Sequence, residues 1–441
     1  MTLDQFRTGD RATSTDDGST SLIDRFAAGE SYAISFGGQG GPWLPTLAEL
    51  VADADLGRRI TAIVDSAARS LEPVADRLAA AGGDRFAPAE WIASIDEDRP
   101  VPTDAELAAA ELSVPGILLA QIAAIANLSK QGLDPSRLPA SAVIGHSQGL
   151  LAAEAITTAE HAREADDAAL LAIAQLMGAA ATVTARRLGL LGSADQTTEG
   201  TSPMVAVNGV PPREIDAMLD EYRASLPVGT AGLPTVAIVN NRRSIVLAGS
   251  PRHLTGFQAL CARRATAEAA DRKAKLTGGK PFAPTFEELA VTVPFHHPDL
   301  APAVDLVVEW AGLSGLDPEF AARLATRILV DPVDWVDQIG DAVASGASWI
   351  IDFGPADLGA RLAAPLVRGQ GVGVIAAATR RGQRSLFVPG SAPAVARPWS
   401  AFSPRLVSLP TGRTVVDTAF TRLTGRSPML LAGMTPTTVD P

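Results

Sequence analysis

The chain has 441 residues, 46% hydrophobic and 20% charged, and a net charge of −12. That length allows two or three domains with ample core, and the acidity disfavours nucleic acid as a partner unless a local basic patch exists. A single cysteine, Cys261, excludes an internal disulfide and a cysteine-based zinc site and implies a reducing, cytoplasmic setting.

Residues 1–30 read as a flexible polar tail followed by a short helix. The tail has no apolar core of a secretory signal. No apolar stretch is expected to reach the ~18 residues of a bilayer span, so no membrane partner is expected. "SYAISF" (31–36) is a buried strand that ends on the glycine-rich "FGGQGG". Apolar residues at spacings of three and four make 46–82 helical. A long apolar helical region covers 104–132 and should kink or break near Pro115. "SAVIGHSQGLLAAEAI" (141–156) is a strand, a tight turn and a helix, and 167–189 is a further buried helix.

The next stretch has its own pattern. Strand 204–209, helix 211–226, strands 235–241 and 244–250 joined by "NNRR", helix 251–273 and strand 288–295 follow the order βαββαβ of a ferredoxin-like unit. Helices at 299–312, 317–328 and 336–345 follow, then strands at 347–355 and 371–377. The remainder is rich in Pro, Arg and Ser and reads as a linker. A β-rich segment thus interrupts a larger α/β domain.

"GHSQG" (145–149) fits the G-x-S-x-G nucleophile elbow, and its strand-turn-helix setting is the one the elbow requires. A serine nucleophile needs a base, because its free hydroxyl is barely ionised near neutral pH. Of the five histidines, His146 would point away from a tight turn and pack beneath it, while His161 and His253 look like surface residues. That leaves "PFHHP", with His296 and His297. Adjacent side chains diverge in extended chain, and no carboxylate or thiol cluster completes a metal site there. The order Ser, inserted unit, His fits a generic esterase poorly, since an α/β-hydrolase runs Ser, acid, His.

"FGGQG", "GHSQG" and "PFHHP" together resemble the acyltransferases of fatty acid and polyketide synthesis. "VAIVNNRRSIVLAG", "PFHHPDL" and "DPVDW…IIDFGP" resemble more closely the acetyl-transferase domain of type I fatty acid synthases, of the fungal and actinobacterial kind. "DTAFTRLTGRSPMLLAGMTPTTVDP" (417–441) resembles the junction into the enoyl reductase that follows, so a fragment without a complete flavin site is expected. The resemblance covers roughly residues 31 to 441.

It implies an α/β fold, with a hydrolase-like parallel-sheet core over 31–202 and 296–378, a ferredoxin-like subdomain over 203–295, and a linker over 379–441. It implies Ser147 as nucleophile, His296 as base, and Asp334 or its neighbouring backbone as the group that orients His296. The N–H of Gln148 follows the nucleophile into the oxyanion hole, and the resemblance adds the N–H of Gln39. Gly38, Gly40, His146 and Leu176 are read as substrate-binding. The expected reaction moves an acetyl group from acetyl-CoA, through an acyl-serine, to the phosphopantetheine thiol of acyl carrier protein. Other fatty acid synthase domains are the further partners expected. No cofactor is implied for the transferase, and FMN only for the reductase beyond.

Acetyl is favoured because malonyl-specific relatives carry an arginine on the helix after the elbow. The matching stretch here, "LAIAQLMG" (171–178), has no cation. The alternatives are a malonyl or palmitoyl transferase, a serine thioesterase or hydrolase, and a non-catalytic scaffold. The basic run at 262–280, with Arg272 and Lys273, is either a CoA or carrier contact or a solvated helix face.

Overall fold

The computed structural model describes residues 20–40, 42–157, 164–194, 200–275 and 282–395, with two short strands at 405–408 and 414–417. Four parallel strands form the centre: β1 (Tyr32–Phe36), β2 (Ala142–Gly145), β8 (Trp349–Asp352) and β9 (Gly373–Ala376), in the order β2-β1-β8-β9. Every residue of β1 and β8 is buried. That explains their continuous apolar runs, since a parallel sheet is covered on both faces. Alternate residues serve opposite cores. Tyr32, Ile34, Phe36 and Ile351 join the large helical core, while Ala33 and Ile350 pack with Trp335 and Ile339 on the other face.

The inserted unit holds β3 (Met204–Asn208), β4 (Thr235–Asn241), β5 (Ser244–Ala248) and β6 (Thr285–Glu288), and β7 (Val333–Asp334) joins its edge in parallel with β4. The order is β6-β3-β5-β4-β7. Val205, Val207, Ile245 and Leu247 pack against Ile215, Met218, Leu254 and Phe257 from the two helices of the unit. The opposite face, including Met204, Ala206, Ile238 and Val246, lines a cavity against the larger domain.

Several expected elements differ. The strand expected at 288–295 lies at Thr285–Glu288 instead. Val291, Val293 and Phe295 are buried, but the Val291 and Phe295 amides bond two residues back to Leu289 and Val293, so the apolar run turns rather than extends. The region 104–132 breaks at Ala108–Ala109, not at Pro115. Thr103 caps a short helix, Asp104–Leu107, and a new helix runs Ala110–Lys130 through Pro115, early enough to lose one bond without ending.

The region 46–82 is three helices, Trp43–Val51, Ala54–Leu71 and Ala75–Ala81, divided at the Asp53 cap and around Pro73. Part of the expected linker is the helix Arg380–Phe387, capped by Thr379 and anchored by buried Leu386. Two helices, Ala110–Lys130 and Asp167–Leu188, are long and apolar enough to cross a membrane, contrary to the sequence expectation. In the fold they are core helices, with 78% and 89% of their apolar windows buried. The tail 1–19 and "PMLLAGMTPTTVD" lie outside the described residues.

Candidate active site

Ser147 sits between the end of β2 and the helix Gly149–Thr157, with φ of 53°. That left-handed conformation is uncommon for a residue with a side chain and marks a strained turn that lifts the hydroxyl outward. Gly149 permits it, because a Cβ there would collide with the Phe36 carbonyl. Gly38 brings the second loop in: a Cβ at Gly38 would lie 2.7 Å from the His146 carbonyl and 3.0 Å from the Ser147 Cβ. The glycine turn therefore lies directly against the elbow.

His296 faces Ser147 with Nε2 2.8 Å from Oγ. Its Nδ1 is 2.8 Å from the Asp331 carbonyl. A carbonyl only accepts, so Nδ1 carries the proton and Nε2 presents its lone pair to the serine hydroxyl. Burial pushes the His296 pKa down to about 4, opposed by the bond to Asp331. His296 also has a positive φ, 60°.

A local widening of the chain holds its loop. The helix Pro318–Ala325 runs into a π-helical turn, Thr326–Val330. The carbonyls of Ile328 and Leu329 there accept the His296 and His297 amides at 3.3 and 2.9 Å. Both lie in the last turn of the segment, whose carbonyls have no partner further along the helix.

Asp334 does not orient His296. Its carboxylate is exposed and accepts the Asp337 amide at 3.0 Å, as the cap of the helix Trp335–Ala344. Three residues upstream, the backbone of Asp331 holds the ring, a role that side-chain chemistry in the sequence does not signal. His297 is equally buried. Its Nε2 donates to the Leu233 carbonyl at 2.9 Å and its Nδ1 accepts the Asp299 amide, tying the loop of His296 to the inserted unit.

Gln39 and Gln148 meet through their side chains: Gln148 Nε2 donates to Gln39 Oε1 at 3.0 Å. Gln39 Nε2 in turn donates to the carbonyls of Ala108 and Ala290. His146 is buried beneath the elbow, edge-on to Trp335, with Nε2 2.8 Å from Asn240 Oδ1 on the inserted sheet. Desolvation lowers its pKa, against the Asn240 bond.

A cavity of about 780 Å³ opens on Ser147, His146, Gln39 and Gly40, with Ile117, Met204, Leu289 and Phe295 as apolar wall. Leu176 is not in that wall. It is fully buried inside the helix Glu164–Leu188, none of whose described residues lines the cavity. Among the described residues Arg361 is the one cationic side chain lining it, and its Nε lies 3.1 Å from Asp357.

Of the remaining histidines, His253 bonds Tyr222 within the inserted unit, and His161 lies outside the described residues. In the basic run, Arg264 pairs with Glu268 and covers the Phe282 ring, so part of that charge is used internally. The side chains of Arg272 and Lys273 are outside the described set.

Residues 203–288 match the family described as the fatty acid synthase central AT domain. The fatty acid synthase subunit beta of Schizosaccharomyces pombe is 28% identical over 391 residues, which is 79% of this chain and 18% of that protein. This chain is similar to fungal fatty acid synthase beta subunits, with the central AT match at residues 203–288. It spans about a fifth of the length of the curated relatives it matches.

The fold of this domain is also that of a solved malonyl-CoA:acyl carrier protein transacylase from Xanthomonas oryzae. That structure has a TM-score of 0.56 at 20% identity, over 80% of this chain and 96% of that one. A malonyl-transacylase solved with a type II polyketide acyl-carrier protein has a TM-score of 0.53 at 19% identity, over 81% of this chain and 99% of that one.

Proposed function

We propose that this domain moves an acetyl group from acetyl-CoA to the phosphopantetheine thiol of an acyl carrier protein by way of Ser147. The observation that carries this reading is the Ser147–His296 bond, with Nδ1 of His296 already committed to a carbonyl. Ser147 Oγ attacks the thioester carbon while Nε2 takes its proton. The oxyanion forms between the glycine turn and the elbow, where preorganised N–H donors, assigned here to Gln39 and Gln148, are worth several kcal/mol. The intermediate collapses, the C–S bond breaks, and the imidazolium returns the proton to the departing CoA sulfur. The carrier thiol then gives its proton to His296, attacks the acetyl-serine, and Ser147 leaves with the proton restored.

The carrier partner and the neighbouring synthase domains are part of this proposal. They rest on the fungal β subunits and on the transacylase solved with its carrier protein. A cytoplasmic setting accompanies it.

Acetyl is favoured by the apolar wall, whereas the uncharged stretch 171–178 lies off the cavity and favours neither acyl group. A buried malonyl carboxylate without a partner would cost several kcal/mol. Arg361 is the observation that favours malonyl instead, being a cation on the cavity wall. Acyl-enzyme formation from acetyl-CoA and malonyl-CoA separates the two. The proposal expects a large preference for acetyl, and comparable rates would remove that specificity. Thiol release with and without pantetheine separates transfer from hydrolysis: release that does not depend on acceptor would identify a thioesterase.

A further inference from the structure

Two loops leave the sheet side by side, one after β1 and one after β8, and a single buried amide ties them together. Gln121, on the helix Ala110–Lys130, is fully buried. Its Nε2 donates to the Gly37 carbonyl at 2.7 Å and to the Gly354 carbonyl at 2.8 Å. Both neighbours are acceptors, so the amide has to present its NH₂ group there.

Asp352, the last residue of β8, does the converse. Its carboxylate accepts the amides of Gly354 at 3.3 Å and Ala360 at 2.7 Å, and the Gly37 N–H also points to it. The peptide groups on both sides of Gly37, and on both sides of Gly354, are thus taken by the same two side chains. Strand pairing cannot serve them, because the ladder between β1 and β8 ends at Ser35 and Asp352. Both glycines are buried, so bulk water cannot serve them either.

Gly37 stands two residues before Gln39, and Gly38 has no slack against the elbow. We propose that Gln121 and Asp352 are positioning residues, a clamp that fixes the glycine turn 37–40 at its distance from Ser147 and so sets the oxyanion site. The inference rests on the acyl-transfer reading above. A displacement of the turn would weaken stabilisation of the oxyanion while leaving the cavity that binds the CoA ester in place. The signature is therefore a loss in the acylation step without a loss in substrate affinity.

The experiment is single-turnover acylation of Ser147 by acetyl-CoA, followed by rapid quench and intact mass, in wild type, Gln121→Met, Asp352→Asn and Ile122→Ala. Ile122 is buried on the same helix and touches neither loop through a polar group. We expect Gln121→Met to acylate about 10- to 100-fold more slowly with half-saturation by acetyl-CoA within about twofold of wild type. Asp352→Asn should shift in the same direction, and Ile122→Ala should acylate at the wild-type rate despite a lower melting temperature.

If Gln121→Met does not fold, Gln121→Asn carries the test, since its amide is one methylene shorter and reaches at most one of the two carbonyls. Wild-type acylation rates in the Gln121 variant would overturn the clamp. So would an equal slowing in Ile122→Ala. Absence of acylation in wild type would overturn the acyl-transfer reading and the clamp with it.

Discussion

Ser147 and His296, 149 residues apart in sequence, meet at 2.8 Å, and both hold a positive φ. Among the described residues only Asp98 and Ala356 share that conformation without being glycine. Strain of this kind persists where surrounding structure over-determines it. For Ser147 the surroundings are the glycines of the elbow. For His296 they are the carbonyls of the π-helical turn and of Asp331.

Removing the base should cost more than removing any neighbour. His296→Ala is expected to lower kcat/KM for transfer by roughly 10²- to 10⁴-fold, the usual range for a general base. Folding should be retained, as judged by circular dichroism. A variant within threefold of wild type would show that Nε2 takes no proton from Ser147.

The lowered His296 pKa of about 4 keeps the imidazole neutral and ready to accept a proton well below pH 6.5. The acid limb of kcat/KM should therefore fall near pH 4 to 5 and not near 6.5. Stability follows the same sign. Between pH 6.5 and about 4 the unfolded chain takes up a proton that the folded chain refuses, so acidification through that window destabilises the fold. The contribution is about 3 kcal/mol. Asp352, raised to about 7 by burial, runs the opposite way as pH rises. The test is thus the difference between wild type and His296→Asn in denaturant melts at pH 7.5 and 4.5. The variant should lose less stability on acidification.

The two aspartates of "DPVDW" should part company with the expectation that Asp334 orients the base. Asp334→Ala removes a helix cap and should cost about 1 kcal/mol, with transfer rates within about twofold. Asp331→Ala keeps the backbone carbonyl that holds Nδ1 and should also leave the rate near wild type. A hundredfold loss of kcat in Asp334→Ala would restore the carboxylate to the mechanism.

Gly149→Ala should fail for a steric reason alone. Its Cβ would run into the Phe36 carbonyl, a backbone atom in the central sheet that cannot move aside. Overpacking of this kind costs about 1–3 kcal/mol, and the displaced elbow should lose transfer activity almost completely. Wild-type activity in Gly149→Ala would mean the turn is looser than its geometry indicates.

The parts of this site that announce themselves in sequence are those with unusual residue types at fixed spacing. "GHSQG" marks the elbow because glycines and a serine stand between an apolar strand and a helix, and "PFHH" marks the proposed base because histidine is scarce in this chain. The βαββαβ order was readable from alternation and proline starts, although its last strand was misplaced. Val291, Val293 and Phe295 are apolar for burial, not for pairing.

The backbone contributions were not legible. A carbonyl at Asp331, or a π-helical turn at Thr326–Val330, depends on chain geometry that any side chain could accompany. Leu176 is read as substrate-binding from the family resemblance, but the described part of the helix that carries it lies in the core, away from the cavity. Gln121 and Asp352 are single polar letters inside apolar runs, and only the fold shows the two loops they face.

Ser147 is the residue proposed to carry the acyl group. Intact mass after mixing with acetyl-CoA tests it most directly. One acetyl adduct is expected on wild-type protein, discharged by pantetheine and missing in Ser147→Ala. An adduct that survives in Ser147→Ala, or none on wild type, would contradict it.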